Sequence, residues 1–378
     1  MASAEPATIR SLDELDLIVD ADSHVWDTME DLYPYIDDKY SWAKRMLDTV
    51  SGHAPSTVFK RTTPTPEYGI RHRGRIHLYR DEDESYDLDV KLREMDDYGI
   101  DFGILDPGAG LDINTVTNTQ FVDAIMNGYN SWILDQIGDD MPFKATMLAA
   151  PDRPRQSAAE IERVGDEDDI VAVSIPASGI EPPPGDRKYD PIYEAAEAKG
   201  LPVTFHGSVG STPQAWPTVG RNAETMAEAH TVGHPLSAMW NLTTLIFRGV
   251  PERFPDLEFV YQECGLAWIP YMMWRLDDHY LENEEEMVMV EKLPSEYLSE
   301  QFYFTTQPLG HTAANQKHLG QIVDMIGADS IMYSCDLPHP DHDPPQELFD
   351  RIKGSLSEEA VRGIMGENAK ELYGFGTV

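Results

Sequence analysis

The chain has few cysteines and no long apolar run. Only two of its 378 residues are cysteine, Cys264 and Cys335, which excludes a disulfide framework and a cysteine-rich zinc module. Both lie in strand-like patterns, which indicates buried thiols rather than nucleophiles. No apolar run approaches the ~18 residues that a membrane span needs, and residues 1–16 lack the basic and apolar regions of a secretory signal. We therefore expect a soluble, cytoplasmic protein.

Basic residues are also scarce, with 29 Lys and Arg against 67 Asp and Glu and a net charge of −38. No cation cluster is large enough to bind a phosphate backbone, so we expect no nucleic-acid partner. The nearest cluster is Arg71, Arg73, Arg75 and Arg80, which we interpret as a surface loop, with an anion grip for a small acidic substrate as the alternative. The acidic residues are spread along the whole chain, which predicts a self-repelling surface suited to a halophilic cytoplasm. There, molar salt shortens the Debye length to about 3 Å.

Short apolar, β-rich runs alternate with segments of helical spacing along the whole chain. The predicted strands are residues 17–22, 102–106, 144–150, 170–175, 202–206, 257–263, 302–306 and 331–336. The predicted helices are residues 87–98, 118–137, 154–164, 192–199, 266–280, 313–326 and 345–363. This alternation implies parallel strands with right-handed crossovers. Because no glycine-rich phosphate loop follows the first strand, eight such units favour a (β/α)8 TIM barrel over an open sheet.

The domain organisation follows from the same pattern. We predict a single domain over residues 1–378, with insertions at about 25–84 and 207–255 on the side of the C-terminal strand ends. In barrels of this kind, such insertions commonly form lids and substrate pockets.

Candidate metal ligands stand where predicted strands end. Alternate strand residues point to the same side, so Asp22 and His24 can aim at one point. The C-terminal ends of all barrel strands surround one site, which adds His206 and Asp336. Alone, His24 could be a packed histidine and Asp336 a turn residue. Together, two imidazoles and two carboxylates predict one divalent metal ion, Zn, Mn or Fe, which the sequence does not distinguish.

Several motifs resemble one known family. They are IVDADSH at 18–24, the strand-end His206, RFPDLEFV at 253–260, SCDLPH at 334–339 and GENAKELY at 366–373. In this order they resemble the amidohydrolase superfamily, in the branch of metal-dependent TIM barrels related to aminocarboxymuconate-semialdehyde decarboxylase and the aromatic-acid decarboxylases. The resemblance implies Asp22 and His24 as first-strand ligands and His206 as the fifth-strand ligand. It implies Asp336 as a carboxylate that binds metal and shuttles a proton.

One position departs from that family. Relatives have a histidine after the sixth strand that handles water or a proton, whereas this chain has Glu263. A glutamate there can act as a general base or bind the metal, but it adds negative charge. His339 and His234 are the nearest substitutes for the imidazole, and a short turn fixes His339 beside Asp336. We further predict that His234 and Arg248 bind substrate, because an arginine near the site would favour a free carboxylate.

Our leading hypothesis is a metal-dependent enzyme acting on a small organic acid, with decarboxylation slightly preferred. In the alternative, a metal-bound water attacks an amide or lactone after Asp336 takes its proton. A metal-binding barrel that has lost catalysis is a rival of another class, and a sugar-processing barrel that uses Glu263 and Asp336 would need no metal. We also expect a homo-oligomer.

Overall fold

Eight parallel strands form the central sheet of the protein. The computed structural model describes residues 9–47 and 87–375, apart from 28, 117, 139, 208–225, 311–316 and 340. Neighbouring strands follow chain order, and all seven neighbouring pairs are parallel. The strands are β1 Val19–His24, β2 Phe102–Asp106, β3 Phe143–Leu148, β4 Ile170–Pro176, β5 Val203–His206, β6 Phe259–Gln262, β7 Phe302–Thr305 and β8 Ile331–Met332.

Backbone hydrogen bonds join the first strand to the segment that follows the last. Ala21 N donates to Tyr333 O at 3.0 Å, and Asp336 N donates to Asp22 O at 2.9 Å. The sheet therefore curls back on itself, and with the alternating helices this confirms the predicted (β/α)8 barrel.

Helices lie between successive strands. They are α1 Met29–Leu32, α2 Ser41–Leu47, α3 Leu88–Tyr98, α4 Thr119–Gln136, α5 Pro154–Val164, α6 Asp190–Lys199, α7 Met226–Phe247, α8 Val250–Arg253, α9 Trp268–Asn283, α10 Pro294–Gln301, α11 Lys317–Ile326, α12 Pro345–Ile352, α13 Glu358–Arg362 and α14 Asn368–Tyr373. Their ends follow local sequence. The side chain of Asp87 accepts from Asp89 N and Val90 N at the start of α3, and Gly99 ends that helix at φ 68°. None of the helices in the described part of the chain is long and apolar enough to cross a membrane.

The structure corrects several predicted boundaries. The region 345–363 is not one helix, because the Ser357 side chain caps a new helix after α12 and a π-helical turn, Gly363–Glu367, leads into α14. The eighth strand is shorter than predicted, because Tyr333 N leaves the ladder and donates to Ile364 O at 2.7 Å. Helices α7 and α10 were not predicted. Residues 313–316 of one predicted helix lie outside the described residues.

A β-bulge lies in β1, immediately before the end of the strand. Asp20 pairs with Gly103 and Ser23 pairs with Leu105, so Ala21 and Asp22 together face the single residue Ile104. Such a bulge changes which face of the strand each side chain meets. The bulge lets Ala21, which packs in the apolar interior, be followed directly by Asp22, whose carboxylate also faces inward.

The two ends of the barrel interior differ in polarity. At the N-terminal end of the strands, Val19, Phe102 and Ile104 pack with Tyr373 and Phe375 from the C-terminal segment. The rings of Phe102 and Phe375 stack at a centroid distance of 4.2 Å. At the C-terminal end, the buried side chains are polar, and they are Asp22, His24, Asp106, His206, Gln262 and Asp336. The apolar side chains pack the N-terminal end of the barrel, and the polar side chains at the C-terminal end can bind ligands and take part in catalysis.

Candidate metal centre

Strands β1 and β5 bring one carboxylate and two imidazoles together. His206 Nε2 lies 3.0 Å from Asp22 Oδ1, and His24 Nε2 lies 3.6 Å from the same oxygen. All three side chains are buried. Alternation along β1 puts Asp22 and His24 on the same side, and the bulge lets Asp22 face inward directly after Ala21.

Backbone carbonyls set the tautomers of both histidines. His24 Nδ1 donates to Pro107 O at 3.0 Å, and His206 Nδ1 donates to Gly207 O at 2.6 Å. A donated Nδ1–H leaves the lone pair on Nε2, which is the usual arrangement of a histidine that binds metal. Both Nε2 atoms face the carboxylate of Asp22.

Asp336 completes the group from the segment after β8. Its Oδ1 lies 3.2 Å from His24 Nε2 and 2.6 Å from His339 Nδ1, and its Oδ2 accepts from Gln307 Nε2 at 3.0 Å. The backbone of Asp336 has φ 67°, a left-handed conformation that costs a non-glycine residue of order 1–2 kcal/mol. The surrounding contacts hold it there. The predicted placement of His339 beside Asp336 is therefore what the structure shows.

The donor set fits a single divalent metal ion. Among the described residues, Asp22 Oδ2 and His24 Nε2 are buried without a hydrogen-bond partner. Burial and the neighbouring His339 and His206 lower the pKa of His24 well below its usual range. Burial also lowers the pKa of His206, but Asp22 and Glu263 outweigh it and raise that pKa well above its usual range. A buried site with open lone pairs and excess negative potential is suited to a cation.

Two further carboxyl groups lie close to these ligands. Burial raises the pKa of Asp106 to about 8, and Asp106 accepts from Thr146 Oγ1 and Gln262 Nε2, each at 2.8 Å. Burial likewise raises the pKa of Asp20 to about 7. Both groups therefore bind a proton more readily than exposed carboxyl groups do, which reduces the charge that the barrel must carry.

A fully buried lysine supports the centre from α3. Lys91 Nζ donates to Leu337 O at 2.7 Å and to Ser23 Oγ at 3.0 Å. It thereby ties the residue after Asp336 to the residue between Asp22 and His24. Lys91 positions both carboxylates of the centre relative to each other.

Glu263 lies on the other side of His206, at φ 50°. Its Oε2 is 3.8 Å from His206 Nδ1, and its Oε1 faces two histidines of α7, His230 Nε2 at 3.6 Å and His234 Nδ1 at 3.5 Å. Burial lowers the pKa of His234 to about 4, although Glu263 opposes that shift.

A cavity of about 380 Å³ adjoins this cluster. Its polar lining includes His230, His234 and Glu263, and its apolar lining is supplied by Met239, Leu266, Trp268, Leu309, Leu319 and Ile322. The cavity is large enough for a small organic molecule.

The structure does not bring every predicted residue to the centre. The Arg248 side chain is 43% exposed, and its guanidinium lies 3.7 Å from the Asp186 carboxylate. Arg248 follows His234 by fourteen residues, which is roughly 20 Å along a helix. The cluster Arg71, Arg73, Arg75 and Arg80 lies outside the described residues.

Several residues of the site escaped sequence reasoning. His234 was predicted, but His230 was not; it could have been found from its i, i+4 spacing to His234, which places both on one face of a helix. Lys91 and Gln307 carry no such signal.

The family of the chain follows from a match across the barrel. A model of the amidohydrolase family matches residues 19–375, which include every candidate ligand. The chain belongs to the amidohydrolase family. Members of this family are metal-dependent enzymes, in agreement with the donor set at the strand ends. A search of curated proteins found no match.

Solved structures share the fold of this amidohydrolase. An amidohydrolase from Mycobacterium avium subsp. paratuberculosis K-10 is 18% identical, with a TM-score of 0.69 over 95% of this chain and 100% of that one. A 5-carboxyvanillate decarboxylase from Novosphingobium aromaticivorans DSM 12444, complexed with manganese, is 18% identical with a TM-score of 0.69 over 99% and 100%. A dihydroxybenzoic acid decarboxylase from Polaromonas sp. JS666, with bound manganese, is 18% identical with a TM-score of 0.64 over 95% and 97%.

Proposed function

We propose that this amidohydrolase is a metal-dependent decarboxylase of a small aromatic or unsaturated carboxylic acid. The observation that carries the proposal is the position of Asp336. This buried carboxylate contacts the ligand histidine His24 and is held by His339 and Gln307. It therefore stands where it can pass a proton to a substrate beside the metal centre. Two of the similar structures are aromatic-acid decarboxylases with manganese, which supports the same chemistry.

Asp22, His24, His206 and Asp336 would hold the metal ion. When bound, a divalent ion there would neutralise and orient a substrate carboxylate and a neighbouring hydroxyl group. The carbonyls of Pro107 and Gly207 keep the Nε2 lone pairs of the two histidines directed at that place.

The reaction needs one proton at carbon. Protonated Asp336 donates its proton to the ring carbon that bears the carboxylate, the carbon–carbon bond then breaks, and its electron pair restores the unsaturated system as carbon dioxide leaves. Asp336 ends as a carboxylate. His339 Nδ1 lies 2.6 Å from Asp336 Oδ1, so His339 can return the proton. Burial lowers the pKa of His339, but the charge of Asp336 outweighs burial and raises that pKa to about 9, so the ring holds a proton to return.

The cavity beside Glu263 suits the substrate's apolar body. Trp268, Leu266 and Met239 can exclude water from one face of a ring. Neither Lys nor Arg is found among the described residues that line the cavity. A substrate carboxylate would therefore be bound by the metal rather than by a protein cation.

That same lack of a lining cation favours a second candidate, hydrolysis of a neutral amide or lactone. Asp336 would then take a proton from water instead of giving one to carbon. Both reactions use the same four ligands.

The test is turnover of hydroxybenzoates by Mn²⁺-loaded protein in D₂O. We expect carbon dioxide release and one deuterium at the vacated ring carbon, and loss of at least 100-fold in rate for Asp336→Asn. Asp324→Asn, exposed on α11, is the matched control and should turn over as the wild type. Turnover of amides or lactones without deuteration of carbon would instead establish the hydrolase. Full activity after exhaustive chelation would contradict both, and no turnover of either class would favour the inactive barrel.

We also propose a homo-oligomer working in a salt-rich cytoplasm. The net charge of −38 supports the salt-rich setting. Apolar side chains on one exposed helix support a subunit contact, since Tyr271, Trp274 and Leu281 of α9 are more than half exposed. Sedimentation in molar salt tests it, and a monomer at micromolar concentration would contradict it.

A further inference from the structure

Three side chains outside the metal centre converge on one point. His230 and His234 lie one turn apart on α7, with ring centroids 4.6 Å apart, and Glu263 follows β6. One ligand atom from each of the three lies within 4.8 Å of ligand atoms of the other two. Two histidines at i and i+4 with a third ligand from elsewhere form a common metal-binding arrangement.

The distances within this cluster suit a shared cation better than hydrogen bonds. Glu263 Oε1 lies 3.6 Å from His230 Nε2 and 3.5 Å from His234 Nδ1. These separations are at or beyond the limit for hydrogen bonds. Two ligands that each lie about 2.1 Å from a tetrahedral ion are about 3.4 Å apart. Glu263 Oε1 and His230 Nε2 therefore stand at about the spacing of two co-ligands.

His234 offers an open lone pair. Its Nδ1 lies 2.9 Å from Glu263 O, and a proton donated there leaves the lone pair on Nε2. That Nε2 is buried and has no hydrogen-bond partner within the described part of the chain. The His234 side chain is only 3% exposed, so its unpaired Nε2 is expected to have a bound partner such as a metal ion.

The cluster shares no ligand atom with the first centre. His206 faces Glu263 through Nδ1, whose proton goes to Gly207 O, and faces Asp22 through Nε2. Asp341 Oδ2 lies 3.8 Å from His230 Nε2 and brings a second negative charge to the cluster. The charges of Asp22 and Asp336 can balance one divalent ion at the first centre, and those of Glu263 and Asp341 can balance another at this cluster.

We propose that His230, His234 and Glu263 hold a second divalent metal ion of the zinc type, with Asp341 or water as the fourth ligand. The adjoining cavity of about 380 Å³ reaches this place, so an exchangeable fourth position faces the substrate pocket. The assignment goes beyond the proposed decarboxylation and does not depend on it. It also explains why a glutamate stands where relatives place a histidine.

The test counts metal in chelator-stripped protein that is reloaded with Zn²⁺ in molar salt. We expect two equivalents in the wild type, one in Asp22→Asn, one in His234→Gln and none in the double variant. His318→Gln, an exposed histidine of α11, is the matched control and should keep two equivalents. Equal zinc content in His234→Gln and wild type, whether one equivalent or two, would overturn the proposal.

A spectroscopic measurement covers variants that fold poorly. Asp22→Asn loaded with Co²⁺ should show the intense visible absorption of four-coordinate cobalt, and His234→Gln on that background should lose it. If Asp22→Asn binds no Co²⁺, the second site does not exist. Decarboxylase activity does not enter either readout, so the second site and the proposed function succeed or fail separately.

Discussion

Replacing Lys91 by Met tests whether this lysine holds the carboxylates of Asp22 and Asp336 in position relative to each other. Methionine keeps most of the apolar stem but removes the charged group that donates to Leu337 O and Ser23 Oγ. The change also leaves Glu94, which is 2% exposed, without the buried cation that interacts with it. Leu337 O keeps its bond from His24 N at 2.8 Å, so that carbonyl is not left unpaired.

The expected loss of unfolding free energy is about 3–5 kcal/mol, the cost of removing one partner of a buried ionic group. Unfolding entropy of about 2.1 cal/mol/K per residue gives about 0.8 kcal/mol/K for a chain of this length. The melting temperature should therefore fall by about 4–6 °C. Metal affinity should fall about 10–100-fold, because Lys91 Nζ no longer links Leu337 O, beside Asp336, to Ser23 Oγ, beside Asp22.

The assay is scanning calorimetry of metal-free protein in molar salt, followed by Mn²⁺ titration. Lys39→Met is the matched control, because Lys39 is about half exposed, and its melting temperature should stay within about 1 °C of the wild type. A Lys91→Met protein that melts with the wild type and binds Mn²⁺ equally well would refute this account of the lysine.

Three further predictions follow from charge and packing. Lowering the salt from about 2 M to 0.1 M should lower the melting temperature, because it lengthens the Debye length around a surface of net charge −38; an unchanged value would contradict this. His339 has a pKa of about 9 when folded against 6.5 ordinarily. Metal-free protein should therefore lose stability as the pH rises from 6.5 through 9, and His339→Gln should lose less in urea titrations. Phe375→Ala should cost about 3–5 kcal/mol in the same titrations, because Phe375 stacks on Phe102 in the barrel interior; a cost below 1 kcal/mol would contradict it.

The barrel was predictable because its strands and helices alternate at nearly regular intervals. The period-2 argument also placed Asp22 and His24 on one side of β1, and the structure brings both to His206 and Asp336. A pattern of polar and apolar residues cannot show where the alternation of inward and outward side chains shifts by one residue within a strand. The bulge between Asp20 and Ser23 depends on pairing with β2, which is a tertiary property.

Other features were missed because a residue can be buried in the fold although its type is usually found at the surface. Lys91 has the sequence appearance of a surface residue on an amphipathic helix, yet it is fully buried. Long insertions are equally difficult, because their helices have no fixed place in the repeating pattern. Helix α7 arises in such an insertion, so its histidines could be suspected from spacing but not placed against Glu263.

The seam between the first strand and the segment after β8 has a consequence for the synthesis of the protein. Asp20 accepts from Cys335 N across 315 positions of the chain, and Asp336 N binds Asp22 O in the same seam. In a growing chain, one edge of β1 therefore stays unpaired until residues 333–336 have left the ribosome. Contacts this distant in sequence form late and slowly. The acidic surface then repels neighbouring chains during the interval in which that edge is open to pairing with them.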